Sequence, residues 1–222
     1  MSQVPKFGFS AFLKLINSNP KPQKRLVRDR FRPSTGGYDF HKSLRQRVQK
    51  IAFENLGFLE ALTSATEISK KAERDSAIRG LRQFFVWRQK NVGDLSACES
   101  FLFSSPKSLF KVEFTPTFLI ELNGRRTAVH LWNTRQTLSA GLVNASLCMV
   151  ANRHPLEARP DDFAVLSLQD GRLFRWSDAN KETAEFGEKL LEVLDLEFAS
   201  ARLEFGLPTV AEGDAASDTP AP

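Results

Sequence analysis

The chain has 222 residues, of which 41% are hydrophobic and 26% charged, proportions that are ordinary for a globular protein. Its two cysteines, Cys98 and Cys148, belong to no CxxC or Cys/His cluster, which argues against a disulfide framework and a zinc site. No stretch approaches the roughly 18 consecutive apolar residues of a membrane-spanning helix. We therefore expect a cytoplasmic protein with no membrane partner.

The positive charge is concentrated near the N-terminus. Residues 1–50 contain twelve lysines and arginines but only two acidic residues, Asp29 and Asp39, for a net charge of +10. Because the whole chain carries +5, the remaining residues carry −5. This asymmetry predicts an acidic partner for the N-terminal part, either nucleic acid or another protein surface. The alternative is that the basic segment pairs with acidic residues of the C-terminal helix in the same chain.

The first predicted element is a short helix at residues 10–17, where apolar side chains follow Ser10. Residues 18–38 combine the basic cluster with three prolines and two glycines, a composition that predicts an extended connector. We therefore treat residues 1–38 as a basic N-terminal helix and connector that precede the main domain.

Three helices are predicted between residues 39 and 90. The first follows Asp39, a candidate N-cap, and has apolar residues near a 3.6-residue period. The second occupies about residues 58–68, and the third follows Asp75, another candidate N-cap. Residues 91–107 contain glycine, serine and proline and are interpreted as a loop.

The composition then changes to that of strands, beginning with residues 109–114. Residues 118–122 and 127–132 flank Asn123 and Gly124, a pair that favours a type I′ hairpin turn because both residue types tolerate positive φ. The remaining predicted elements are, in chain order, a helix at residues 137–152, strands at 162–168 and 172–176, a long helix that starts near 178, and a disordered tail at 207–222.

These elements predict a single α/β (α+β) domain at residues 39–206, with a helical part at 39–90 and a sheet core at 108–206. The core is expected to hold a central mixed sheet of four to five strands, with N-terminal helices and a long C-terminal helix around it. Its elements come in the order α-β-β-β-α-β. That order resembles the core of the PD-(D/E)XK nuclease-like superfamily.

Enzymes of that superfamily place one acid on the second core strand and a Glu-x-Lys motif on the third, and these groups hold a divalent metal and activate water. In this chain Pro116 and Thr117 stand where Pro-Asp would fall, and residues 130–132, His-Leu-Trp, stand where Glu-x-Lys would fall. All three chemical positions are replaced. We therefore expect a degenerate, non-catalytic scaffold without a cofactor.

A metal-dependent nuclease with relocated residues is a further alternative. Glu113 and Glu121 lie on neighbouring predicted strands, and His130 could act as a metal or proton ligand. These three residues would bind Mg²⁺ if they shared one face of the sheet, which depends on the register across the hairpin turn. The competing interpretation is that Glu121 and His130 are ordinary sheet residues.

A second resemblance rests on the run Gly-Gly-Tyr-Asp-Phe-His at residues 36–41, on the helical region that ends at Trp87, and on the strands and turn of residues 116–132. Together these segments resemble a group of uncharacterised bacterial proteins over about residues 38–200. The resemblance implies a bacterial, cytoplasmic protein and no particular activity. The sequence contains neither a G-x-x-x-x-G-K-[ST] nor a G-x-G-x-x-G motif for a nucleotide cofactor, and no G-x-S-x-G motif.

The sequence thus predicts a nucleic-acid-associated protein whose basic N-terminal part contacts the phosphates of DNA or RNA. The residues predicted to bind nucleic acid are Lys24, Arg25, Arg28, Arg30, Arg32, Arg45 and Arg47. The alternative is a protein-interaction or regulatory module that could form a homodimer. In that case the apolar side chains of residues 7–16 would dock on a neighbouring subunit or on the protein's own core.

Overall fold

Seven α-helices and seven strands occur in the part of the chain that the computed structural model describes, residues 4–32 and 39–208. The helices are α1 (Phe9–Ile16), α2 (Pro20–Arg28), α3 (Lys42–Phe53), α4 (Phe58–Thr66), α5 (Lys71–Lys90), α6 (Ala140–Arg153) and α7 (Lys181–Glu204). The strands are β1 (Lys6–Gly8), β2 (Phe101–Ser104), β3 (Lys111–Phe114), β4 (Phe118–Leu122), β5 (Arg125–Trp132), β6 (Asp162–Ser167) and β7 (Leu173–Arg175). The α+β class and the long C-terminal helix are confirmed. Within these described ranges, no helix is both long and apolar enough to cross a membrane.

The larger sheet has four strands in the order β4-β5-β6-β7. β5 and β6 are parallel and are connected through α6, whereas the two outer strands run antiparallel to their neighbours. Because successive side chains of a strand point to opposite faces, Ala128 and Trp132 of β5 enter one core and Val129 and Leu131 enter another. The first core is completed by α1, α6 and α7, and the second by α3, α4 and α5. The sheet is therefore the middle layer between two groups of helices.

The N-terminal segment is an integral part of the first core. β1 pairs in parallel with β3, and β2 pairs with the other edge of β3, so these three strands form a second, smaller sheet. Phe7, Phe9 and Phe12 are buried, and the ring of Phe7 makes an edge contact with the ring of Phe198 on α7. The predicted boundary at residue 38 consequently does not separate this segment from the domain. Residues 7–16 were expected to dock either on a neighbouring subunit or on the protein's own core, and in the structure their apolar side chains pack in the protein's own core.

α2 occupies most of the segment that was predicted to be an extended connector, so that prediction is wrong for residues 20–28. Pro20 and Pro22 lie in its first turn, where backbone N–H groups have no partner within the helix and a proline costs little. The helix packs against α7 and buries Val27 in the first core. The glycines of the predicted connector, within residues 33–38, and the predicted tail from residue 209 onward lie outside the described residues.

Three other boundaries differ from the prediction. Asp39 does not cap α3, whose N-cap is His41; its carboxylate instead accepts a hydrogen bond from the backbone N–H of His41. α5 begins at Lys71, ahead of Asp75, because the residues between them are good helix formers that continue the same turn. The predicted loop at residues 91–107 contains β2, a short strand that is stabilised by its pairing with β3.

The strands that were predicted to form one central mixed sheet are divided between the two sheets. β3 belongs to the smaller sheet, and only the hairpin of β4 and β5 belongs to the larger one. The hairpin prediction is confirmed, since Asn123 and Gly124 have φ values of 52° and 73°. Thr115 and Pro116 carry the chain from one sheet to the other, and a cavity opens at this crossing.

Candidate functional site

A concave surface of about 820 Å³ lies beside α2 and is lined by basic side chains, and we call it the α2 surface. Its charged lining residues are Lys21, Lys24, Arg25, Arg28, Arg32 and Asp29. Five of these six carry a positive charge. The helix places Lys21, Lys24, Arg25 and Arg28 on one side because residues three and four positions apart share a helix face, and Arg32 follows shortly after the helix ends. Four of the seven residues predicted to bind nucleic acid are therefore brought together here.

Two of these cations are also paired with α7. Arg28 donates hydrogen bonds of 2.6 and 2.8 Å to the two carboxylate oxygens of Glu204. The hydrogen bonds from Arg28 hold the pKa of Glu204 below its usual value. The ammonium group of Lys24 lies 3.8 Å from the carboxylate of Glu197. The basic segment thus pairs with the acidic C-terminal helix of the same chain, as one of the two interpretations of the charge asymmetry expected.

The other three predicted nucleic-acid-binding residues lie elsewhere. The guanidinium carbon of Arg30 is 4.2 Å from the centroid of a buried phenylalanine ring, and burial lowers the pKa of Arg30. Arg45 forms an ion pair with Asp39. Arg47 donates hydrogen bonds to the hydroxyl and the backbone carbonyl of Ser64. All three therefore make structural contacts within the domain and take no part in the α2 surface.

The structure does not bring Glu113, Glu121 and His130 together as one metal site. Glu121 pairs with Arg126 across the hairpin, and alternation along β5 puts His130 on the same face of the sheet. His130 lies four residues farther along the strand, however, which is a separation of about 13 Å. Glu113 belongs to the smaller sheet and forms a 3.0 Å ion pair with Lys6. Over residues 4–32 and 39–208, no group of three or more His, Cys, Asp or Glu side chains is arranged to hold a metal ion.

His130 instead faces the cavity at the crossing between the two sheets, which has a volume of about 430 Å³. The walls come from the junction of β1 with α1, from Arg45 and Gln49 of α3, and from residues 115–117 between β3 and β4. Glu113 contributes to the same walls, whereas Glu121 lines a different cavity, together with Arg126. Arg45, one of the residues predicted to bind nucleic acid, therefore borders this cavity.

The hydrogen bonds of His130 define which of its ring nitrogens carries the proton. Nδ1 is 2.9 Å from the backbone carbonyl oxygen of Thr115, and Nε2 is 2.8 Å from the hydroxyl of Ser10. A carbonyl oxygen can only accept, so Nδ1–H donates to Thr115 and Nε2 accepts from Ser10. Burial lowers the pKa of His130 to about 4, which outweighs the opposing effect of the Thr115 carbonyl, and the charge of Arg45 lowers it further. The imidazole is consequently neutral at pH 7.

Thr117 brings a hydroxyl without a hydrogen-bond partner to the same cavity. The residue is only 4% exposed, and its Oγ1 contacts no donor or acceptor. A buried polar atom in this state costs free energy, because it has lost its hydrogen bonds to water and gained none in exchange.

Another cavity, of about 640 Å³, lies where β5 ends and was not predicted from the sequence. Lys71, Asp75 and Arg79 of α5 line it, and Arg135 adds a third positive charge from the loop after β5. The four-residue spacing of the three α5 residues places them on one face of the helix. That spacing is the sequence signal that would have indicated this cluster.

Ser10 is the other functional candidate that sequence reasoning missed, since it was treated only as the start of a helix. It is separated from His130 by 120 positions, and no local motif connects the two. No protein-family model and no curated protein sequence matches this chain.

Proposed function

We propose that the protein binds nucleic acid through the concave basic surface of α2. The observation that carries this proposal is the convergence of five lysines and arginines on one surface, whose lining within residues 4–32 and 39–208 includes one acidic residue. Nucleic acids present closely spaced phosphates, and each cation that neutralises one of them releases counterions. Among the described residues, no aromatic side chain lines the surface, so base stacking is not expected from them. We therefore expect contacts with phosphates and little sequence preference.

The ion pairs with α7 are compatible with phosphate binding. Both pairs, Lys24 with Glu197 and Arg28 with Glu204, are partly exposed to solvent, and exposed pairs contribute little to stability. A phosphate can replace the carboxylate at small cost, because the cation keeps a partner of the same charge. The acidic residues of α7 then compete with the nucleic acid and lower its affinity. This competition makes binding weaker at physiological salt than the number of cations alone implies.

The proposal is tested by fluorescence anisotropy with labelled single- and double-stranded DNA and RNA at several salt concentrations. If four or five phosphates are neutralised, the logarithm of the affinity should fall with the logarithm of the salt concentration, with a slope of about −4 for duplex DNA. Replacing Lys21, Arg25 and Arg32 by glutamine should reduce the magnitude of this slope by about 3. Three exposed lysines outside the surface, Lys90, Lys181 and Lys189, provide a control triple variant with the same change in net charge. No binding at low salt, or equal losses in the two triple variants, would contradict the proposal.

Self-association through the outer face of α7 is a second candidate function, favoured by an apolar stripe on that helix. Phe186, Val193, Leu196 and Leu203 are 46%, 52%, 60% and 65% exposed. At 100° per residue they lie within a sector of about 100°, so a second copy of the chain can present the same stripe. Light scattering after gel filtration should show a dimer that Leu196→Glu dissociates. Leu59→Glu, at an exposed position of α4, should leave the mass unchanged.

We also propose a cytoplasmic location. Cys98 and Cys148 are both free, and neither has a disulfide partner in the described chain. Free thiols are expected in a reducing compartment. The nucleic acids that the α2 surface would bind are available in the same compartment.

A further inference from the structure

The cavity between the two sheets contains the parts of an acyl-transfer site. We propose that Ser10 and His130 act as nucleophile and general base in the hydrolysis of small carboxylic esters. The hydroxyl of Ser10 is 2.8 Å from Nε2 of His130, which is hydrogen-bonding distance for proton transfer between a nucleophile and its base. This site is separate from the basic α2 surface, and its activity does not depend on nucleic-acid binding.

The imidazole is fixed in the orientation that the reaction requires. Its Nδ1–H donates to the backbone carbonyl of Thr115, so its lone pair on Nε2 points toward Ser10. The rings of Phe9 and Phe114 lie against it, with centroid distances of 5.3 and 6.0 Å, and prevent it from turning. Thr115 thus performs the orienting role that a carboxylate has in serine hydrolases, but without a negative charge.

The first turn of α1 can stabilise the negative charge that develops on the substrate. Ser10 is the second residue of this eight-residue helix, and no side chain caps the helix N-terminus. The first-turn backbone N–H groups of a helix have no partner within the helix, and these groups and the positive end of the helix dipole lie next to the nucleophile. A Cβ atom placed on Gly8 would meet no atom within 4 Å, so a substrate has room to approach the chain there.

The reaction requires only these two side chains, the ester and one water molecule. The oxygen of Ser10 bonds to the acyl carbon and passes its proton to Nε2 of His130. The bond from the acyl carbon to the leaving oxygen then breaks, and the proton moves from Nε2 to that oxygen to release the alcohol. Water attacks the acyl carbon in the same way, gives its proton to Nε2, and displaces Ser10, which recovers the proton. The products are a carboxylic acid and an alcohol.

The surroundings of the pair define the class of substrate. Because the partner of Nδ1 is a neutral carbonyl, the imidazolium that forms during the reaction is stabilised less than beside a carboxylate. The low pKa of His130, about 4, has the same consequence, since it makes Nε2 a weak base. The substrate must therefore have a reactive carbonyl, as in aryl esters. A volume of about 430 Å³ limits it to a small molecule.

The test uses the full chain and a fluorophosphonate probe, which forms a stable bond to activated serine oxygens with loss of fluoride. Digestion and mass spectrometry should place one equivalent of the probe on Ser10. His130→Gln should slow labelling by at least about a hundredfold, which is the contribution of a general base. Ser18→Ala removes a serine that also lies beside α1 but bonds only to a backbone carbonyl, and should leave the labelling rate unchanged.

Hydrolysis of p-nitrophenyl acetate provides the second readout, and Ser10→Ala should abolish the part of it that exceeds the rate with unfolded protein. Circular dichroism establishes that each variant is folded. The proposal is overturned if the probe does not label Ser10 in the wild-type protein, a result that requires no variant to fold. Labelling of folded His130→Gln at the wild-type rate would equally overturn the role of His130. Neither result would affect the nucleic-acid proposal, because that is measured by affinity.

Discussion

Arg28 and Glu204 join α2 to α7 through two hydrogen bonds, although 176 positions separate them in the chain. The pair connects the strongly basic N-terminal part of the chain directly with the acidic C-terminal helix. A glutamate in this position has two opposite effects on the α2 surface. It holds the guanidinium in place, and it competes with any phosphate for the same donor groups.

The first prediction concerns this competition. Glu204→Gln should raise the affinity for duplex DNA at low salt, on the order of threefold, because one competing carboxylate charge is removed. Arg28→Gln should lower the affinity and reduce the magnitude of the salt slope by about 1. The pair formed by Arg153 and Glu188, which is also joined by two hydrogen bonds but lies away from α2, provides the control. If Arg153→Gln weakens binding as much as Arg28→Gln, the effect reflects net charge alone.

The second prediction tests whether the N-terminal segment belongs to the domain. Phe12 of α1 is fully buried in the first core, whereas Phe186 of α7 is 46% exposed. Phe12→Ala should lower the free energy of unfolding by about 3–5 kcal/mol, because it removes buried apolar area and leaves a cavity. Phe186→Ala should change it by less than about 1 kcal/mol. Urea denaturation followed by circular dichroism measures both, and a small effect of Phe12→Ala would mean that the segment is an appendage.

Local chemistry explains which elements were predictable from the sequence. The hairpin at Asn123 and Gly124 was predicted because the turn type is specified by the two residues that form it. α2 was not predicted because proline usually interrupts a helix. Pro20 and Pro22 are compatible with α2 only because they lie in its first turn. β2 was missed because a four-residue strand has little preference of its own and depends on pairing with β3.

The candidate site was less predictable than the fold, because its parts are distant in sequence. His130 was identified as a possible ligand, but its partner Ser10 lies on a different element, 120 positions earlier. The parallel pairing of β1 with β3 brings Ser10 to the cavity, and no local pattern in the sequence specifies that pairing. The predicted grouping with Glu121 did not occur, because sharing a face of the sheet does not make two residues neighbours along the strand.

The third prediction concerns two adjacent aspartates with different surroundings. Asp162 is fully buried at the start of β6, where its carboxylate accepts hydrogen bonds from Arg175 and from both the backbone N–H and the hydroxyl of Ser177. Asp162→Ala should lower the free energy of unfolding by about 1–3 kcal/mol, because the half-buried guanidinium of Arg175 and the donors of Ser177 lose their common acceptor. Asp161 is exposed and accepts one hydrogen bond, from the backbone of Arg126, so Asp161→Ala should cost about 1 kcal/mol or less. Equal losses for the two variants, measured by urea denaturation, would contradict this assignment.

The fourth prediction is a pH dependence of stability that originates at His130. In the unfolded chain this histidine has a pKa near 6.5, whereas burial and the nearby charge of Arg45 lower the pKa to about 4 in the folded protein. Between these two values the unfolded state binds a proton that the folded state does not. The free energy of unfolding should therefore be highest above pH 6.5 and fall as the pH is lowered, by about 3 kcal/mol in total by pH 4.

Other groups titrate over the same range, among them His41, whose pKa is also lowered mainly by burial. The informative quantity is therefore the difference between the wild-type protein and His130→Gln, since the contribution of His41 is common to both. Glutamine can still donate to Thr115 and accept from Ser10, but it takes up no proton. The variant should lose less stability than the wild-type protein between pH 6.5 and pH 4, and the two should run parallel above pH 7. Parallel curves over the whole range would show that His130 is exposed to water and protonated normally, and the fixed tautomer on which its role as a base depends would then be absent.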